Sequence, residues 1–248
     1  PEASRLAIDW LNERIKKDVV EINDHYKKYR LNDAALTVYK LVWDAYCSWY
    51  LEAIKPNYGA SIDRTTYESS IEILGRLMTI LNPMMPFITE EVWHSIQERS
   101  DRDCAMLSNW PKATSFDAEM ISNFELSQSI ITEVRSLRAS KNLSPREGLV
   151  LMQNGEKGAY AQFESIISKL ANVQLEYATQ PDGPAASFII GTTEFAVPLD
   201  GLVDSAEEKK KLEEELKYQQ GFMNSVSKKL ANERFLSNAP EAVVASER

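Results

Sequence analysis

The chain has 248 residues, 44% hydrophobic and 26% charged, with 28 lysines and arginines against 37 aspartates and glutamates and a formal charge of −9. That length gives one large or two modest domains with ample core, and the composition excludes disordered, collagen-like and disulfide-stapled chains. Taken as a single number, the acidity argues against a partner as acidic as DNA or RNA.

Cys47 and Cys104 are too few and too far apart for a disulfide framework or a thiolate metal site, and reduced cytoplasmic thiols are the expectation. His25 and His94 are the only histidines and share no i, i+4 spacing, so no metal site is expected. The most apolar stretch, residues 34–51, is interrupted by Lys40 and Asp44, which a membrane span does not tolerate. The start, Pro1-Glu2-Ala3-Ser4, has no charged-then-apolar run of a signal peptide, and without an initiator Met it reads as a piece of a longer or processed chain.

In chain order, Leu11, Ile15, Val19, Ile22 and Tyr26 recur every three or four residues and predict an amphipathic helix to about Tyr29. Asn32-Asp33 then read as the N-cap of a second helix to about Lys55, stopped by Pro56. Leu36, Tyr39, Leu41, Val42, Trp43, Tyr46, Trp49 and Tyr50 cover nearly all its faces, so it is expected at the buried centre of a bundle. Asp63 caps a third helix carrying Ile71, Leu74, Leu77, Met78 and Leu81, and Pro83 and Pro86 force a turn. A fourth helix is expected from Thr89, with Glu90 and Glu91 against its positive end. Four helices with short connections make a bundle.

After Trp110-Pro111 a fifth helix is expected over 118–141. Four short runs then read as strands, 148–152, 173–178, 185–190 and 193–198, with a helix over 159–170 between the first two. From Asp204 the composition shifts to Glu, Lys and Leu. Leu212, Leu216, Gln219, Met223, Val226 and Leu230 step by four and three as coiled-coil seam positions, and Asn238-Ala239-Pro240 suggests an antiparallel hairpin turn. The expected architecture is mainly α: a helical bundle over 1–125, a small α+β domain over 126–203 and a coiled-coil arm over 204–248.

Catalytic signals are missing. Asn154-Gly155-Glu156-Lys157-Gly158 lacks the spacing and ending of a phosphate loop, no serine sits in a G-x-S-x-G setting, and the paired carboxylates read as solvated helix faces. Binding signals are present: Trp10 with Arg14, Lys16, Lys17, Lys27, Lys28 and Arg30 on the first helix, and Arg135, Arg138 and Lys141 on the fifth. Aromatic rings beside cations suit unstacked RNA bases, although the same spacing equally describes core aromatics and solvated charges on a plain helical scaffold.

The strings Cys47-Ser48-Trp49-Tyr50-Leu51-Glu52-Ala53-Ile54-Lys55-Pro56, Leu81-Asn82-Pro83-Met84-Met85-Pro86-Phe87-Ile88-Thr89-Glu90-Glu91-Val92-Trp93 and Trp110-Pro111 resemble the anticodon-binding helical domain of class I aminoacyl-tRNA synthetases of the valine, isoleucine and leucine group. Lys229-Leu230-Ala231-Asn232-Glu233-Arg234-Phe235 and the run to Arg248 resemble the tRNA-binding coiled-coil arm that in this group belongs to the valine branch. The resemblance implies a bundle that holds the anticodon stem and loop of valine tRNA and an arm that leans on its outer corner. By position it makes Trp10 a base-stacking platform; by their charge and the helices they occupy, Arg14, Arg135 and Arg138 are candidates for phosphate or base contacts and Lys228, Lys229 and Arg234 for contacts from the arm. Trp49, Tyr50, Phe87 and Trp93 would be packing residues. The adenylation signatures of the group have no counterpart here, so catalytic, cofactor-binding and metal residues are expected to be none, with ATP and Mg used by a parent catalytic domain. The implied protein is a cytoplasmic monomer with no membrane contact. The rival readings are the same region of an isoleucine or leucine enzyme and a helical protein-interaction module.

By segment, residues 1–31 carry a net +1 and residues 127–148 a net +2, so the acidity lies elsewhere and does not exclude an RNA partner.

Overall fold

The structure, a computed structural model, describes residues 1–100, 102–177, 181, 183–199 and 205–230. Helix α1 (Glu2–Lys27) buries Ala7, Trp10, Leu11, Ile15, Val19 and Ile22, the stripe its three- and four-residue spacing places on one face. It closes with the Tyr29 N–H on the Tyr26 carbonyl (3.1 Å) and the Arg30 N–H on that of His25 (2.9 Å), a Schellman pattern.

The chain reverses into α2 (Leu31–Tyr39). This helix starts directly after Arg30 with no side-chain cap, so the expected Asn32-Asp33 cap is not used. It widens without a break into a π-helical stretch, Lys40–Tyr50, and ends as α3 (Leu51–Ile54) ahead of Pro56. The expectation of a helix buried all round is corrected here. Val38, Leu41, Ala45 and Tyr50 are buried, whereas Leu36, Tyr39 and Trp43 are exposed. The physical reason is position: one side of this segment packs on α1 along its length, with Tyr50 bonding Ser70 (2.8 Å) and Trp49 edge-on to Phe124 (6.4 Å), while the side carrying Leu36, Tyr39 and Trp43 has no described element over it.

Helix α4 (Arg64–Leu81) carries the expected cap, Asp63 accepting the Thr66 N–H at 2.9 Å, and buries Ile73, Leu77, Met78 and Ile80. The proline turn leads into α5 (Pro86–Ser95), which starts earlier than expected, with Pro86 in its first turn. Thr89 is therefore not a cap. Its buried hydroxyl bonds the Met85 carbonyl (2.8 Å) and accepts from the Asn82 amide (2.9 Å), tying helix to turn. Glu90 accepts the Ala105 N–H (2.9 Å) and the Cys104 thiol (3.3 Å) and faces His94 (3.2 Å), pinning a short 3-10 turn, Ala105–Leu107. Phe87, expected as a packing residue, is 90% exposed in the first turn of α5, a helix of which only Thr89 is buried. Trp93 is half-buried under the Arg99 guanidinium, 3.6 Å from the ring centre.

Helix α6 (Ala118–Ser140), capped by Asp117 on the Met120 N–H (2.9 Å), runs through position 125. Its Phe124 stacks on Trp10 (3.8 Å) and meets Phe163 edge-on (5.1 Å), so the core of the bundle continues into the following α+β part, and residues 1–198 form one compact unit. That part comprises β1 (Leu149–Gln153), a 3-10 turn (Ala159–Phe163), α7 (Glu164–Ala171), β2 (Val173–Tyr177), β3 (Ala185–Ile190) and β4 (Thr193–Pro198). The sheet order is β2-β1-β4-β3. β1 and β2 are parallel, Leu149 opposite Val173, and need the α7 crossover; β4 is antiparallel to β1 and β3. Gly191, at φ +62°, turns the β3–β4 hairpin.

Residues 199–248 form a second unit. Its helix α8 (Ser205–Leu230) carries the heptad positions, with Leu216 and Met223 exposed and Val226 half-buried. The expected hairpin turn at 238–240 lies outside the described residues.

Candidate nucleic-acid interface

An unpaired RNA strand is held by ring faces on which bases stack and by cations near the phosphates. The residues expected in these roles do not come together. Trp10 is 1% exposed, with one face against Phe124, because it stands in the inward stripe of α1. It is core, and the expectation of a base-stacking platform at Trp10 is corrected. Arg138 is corrected likewise: it is 4% exposed and donates to the carbonyls of Ser144 (2.8 Å), Ala171 (3.1 Å) and Asn172 (2.9 Å). This arginine closes the α6–β1 connection onto the end of α7, and no phosphate can reach it.

Arg14 lies along α1 against Asp18, 2.9 Å away, and Asp18 is almost fully buried. Burial pushes the Asp18 carboxyl pKa up while the Arg14 charge and hydrogen bond pull it down, so Arg14 offsets a buried acid before it can serve any ligand. The two residues line a cleft of about 310 Å³ that also receives Glu21, His25, Asp33 and Lys40, a mixed rather than a basic lining. Arg135 stays at the surface, donating to the Leu170 carbonyl (3.1 Å) with its guanidinium 5.9 Å from the Trp49 ring centre. Lys228 and Lys229 fall within α8; Arg234 lies outside the described residues.

Sequence reasoning named Lys27, Lys28 and Arg30 and missed the exposed aromatics beside them at the α1–α2 corner and beyond it. Tyr29 is 90% exposed at its tip, and the flanking Lys27, Lys28 and Arg30 are exposed with it. Further along, Tyr39 and Trp43 stack on one another in the open, ring centres 6.3 Å apart and planes 14° from parallel, beside the exposed Lys40. The signal for this pair was the i, i+4 spacing of two aromatics with a lysine and an aspartate between and after them, obscured because the helix is apolar on every side. The surface can stack planar groups and attract anions. Among the described residues no group of three or more His, Cys, Asp or Glu could hold a metal ion, and no helix is long and apolar enough to cross a membrane.

Residues 9–152 match the family described as the anticodon-binding domain of tRNA ligase, and the chain belongs to that family. Residues 204–248 match a second model, the tRNA binding arm of valyl tRNA synthetase. Over its whole length the chain is similar to valine–tRNA ligases: 43% identical to that of Christiangramia forsetii, 41% to that of Phocaeicola vulgatus and 40% to that of Parabacteroides distasonis. Each alignment takes in 100% of this chain and 28% of the relative, so the chain spans little more than a quarter of the length of these relatives. The resemblance carried by the Leu81–Trp93 strings and the start of the arm therefore holds, and the valine branch is favoured over the isoleucine and leucine branches.

Proposed function

We propose that this chain is the tRNA-gripping portion of a valine–tRNA ligase, a class I aminoacyl-tRNA synthetase that joins valine to valine tRNA with ATP and Mg, and that it holds the anticodon stem and loop while adenylation is carried out by the rest of the polypeptide. The observation that carries this reading is the order of the two matches, an anticodon-binding domain followed by a valine-type arm, inside an end-to-end similarity to valine–tRNA ligases. The exposed aromatics and cations of the α1–α2 corner supply the chemistry such a role needs. In this reading the chain works as a monomer in the cytoplasm, its partners being valine tRNA and the remainder of the synthetase, and Lys228, Lys229 and Arg234 touch the tRNA from the arm.

Fluorescence anisotropy of labelled valine tRNA titrated with the chain tests it. Binding that weakens as salt rises, with a preference over isoleucine tRNA, is expected. Equal weak binding to all tRNAs, or none at 50 mM salt, would overturn it.

A further inference from the structure

Three described residues other than glycine have a left-handed backbone: Tyr29 (φ 56°), Asn142 (φ 54°) and Asn172 (φ 53°). Each follows a helix, respectively α1, α6 and α7. Asparagine is the side chain that best tolerates this conformation, and glycine adopts it with no steric penalty. Tyrosine is a poor choice, because a bulky side chain crowds the backbone at positive φ.

Burial does not explain the exception. The Tyr29 ring is 90% exposed, and its hydroxyl makes no hydrogen bond among the described residues. A side chain that strains the backbone and packs against nothing adds no stability, so its reason lies outside folding. Its setting indicates what kind. Three of the four residues flanking it in 27–31 are the exposed cations Lys27, Lys28 and Arg30. The closure that creates the conformation also fixes the backbone from which the ring projects: bonds from the Tyr29 and Arg30 amides to the Tyr26 and His25 carbonyls (3.1 and 2.9 Å) anchor the turn to α1. A ring held out from a fixed turn, with Lys27 and Arg30 beside it in no salt bridge among the described residues and Lys28 matched by Asp24, matches a base with its phosphate, whereas lysines are depleted where proteins meet proteins.

We infer that Tyr29 is a base-stacking post for an unpaired nucleotide of the bound RNA, with Lys27 and Arg30 on the adjoining phosphates. The inference rests on the anticodon-binding reading above and adds the residue that meets the base.

The variants Tyr29→Asn and Tyr29→Gly test it, since both fit the left-handed backbone better than tyrosine. Their thermal midpoints should equal or exceed that of the original chain, while affinity for a synthetic valine anticodon stem-loop falls at least fivefold. Tyr29→Trp should bind within about twofold of the original, because a ring face is what stacking needs. With 2-aminopurine at successive loop positions, the fluorescence change on binding should vanish at one position in Tyr29→Asn and return in Tyr29→Trp. If the original chain binds the stem-loop and Tyr29→Asn binds it equally well with the same fluorescence response, the stacking role is overturned and the anticodon-binding reading stands. If the original chain does not bind the stem-loop at low salt, both fail. Altered sedimentation of Tyr29→Asn with RNA binding intact would make the post a protein contact and overturn the inference.

Discussion

Arg138→Ala separates a structural arginine from an RNA-binding one. The guanidinium is 4% exposed and makes three bonds of 2.8 to 3.1 Å to the carbonyls of Ser144, Ala171 and Asn172, two of them at the end of α7. A hydrogen bond from a charged donor is worth about 1.5–3 kcal/mol net, so three of them would exceed about 4 kcal/mol before the cost of burying the charge is subtracted. Truncation removes the charge with its bonds and leaves the Ala171 carbonyl facing a cavity while Ser144 and Asn172 keep the Glu147 and Leu149 amides, and the loss expected is about 3–5 kcal/mol. In a unit of this size each kcal/mol moves the midpoint by about 2–4 °C, so the melting temperature should drop by about 6–20 °C. Arg138→Lys should recover only part, because an ammonium cannot address three carbonyls as a planar fork does. Urea unfolding followed by circular dichroism, with stem-loop affinity of the folded protein in parallel, gives both readouts. A variant within about 1 kcal/mol of the original in urea that nevertheless binds RNA tenfold more weakly would refute the structural assignment.

Trp10→Ala should likewise act on stability, by about 3–5 kcal/mol, through the cavity left against Phe124; folded protein that binds RNA normally is the expected outcome in denaturation and anisotropy measurements. Asp63→Ala removes the α4 cap and should lower the urea midpoint, with no effect on RNA. For Glu90, the Ala105 N–H and the Cys104 thiol hold the carboxyl pKa below its ordinary 4.5. A depressed folded pKa gives stability that is fully present above the unfolded value and is lost as pH falls through the folded one. Glu90→Gln should therefore be less stable than the original at pH 7, with a gap that closes below about pH 4.5. A gap unchanged from pH 7 to pH 3 in urea midpoints would show that the charge is irrelevant.

Much of the fold was legible because the relevant signals are local. The Asp63 cap, the breaker Pro56 and the short runs of β1 and β2 each act within a few residues, and the elements appear where those signals put them. The site was less legible because exposure is a tertiary property. Trp10 and Trp43 both sit at helical spacing among apolar residues, yet one packs on Phe124 from α6 and the other faces solvent, because only α1 lies between other elements. Periodicity ranks the faces of one helix but does not say how many of them have neighbours. Arg138 misled for a related reason: its partners are backbone carbonyls more than thirty positions away, and a carbonyl leaves no mark in a sequence.

The net charge of −9 finally becomes a statement about salt. Three of the first-helix cations that suggested RNA are already matched at close range, Arg14 by Asp18, Lys16 by Glu13 and Lys28 by Asp24. Along this face that leaves Lys27 and Arg30 at the α1–α2 corner and Lys40 at the far end of α2 exposed, with no salt bridge among the described residues. Three phosphate contacts would give a slope of log affinity against log salt of about −2 to −3, a loss of about 15- to 60-fold between 50 and 200 mM. The double variant Lys27→Ala with Lys40→Ala should flatten that slope by about one to two for the isolated stem-loop. A slope steeper than about −5 would require a basic footprint much wider than these three cations and would refute the narrow interface drawn from them.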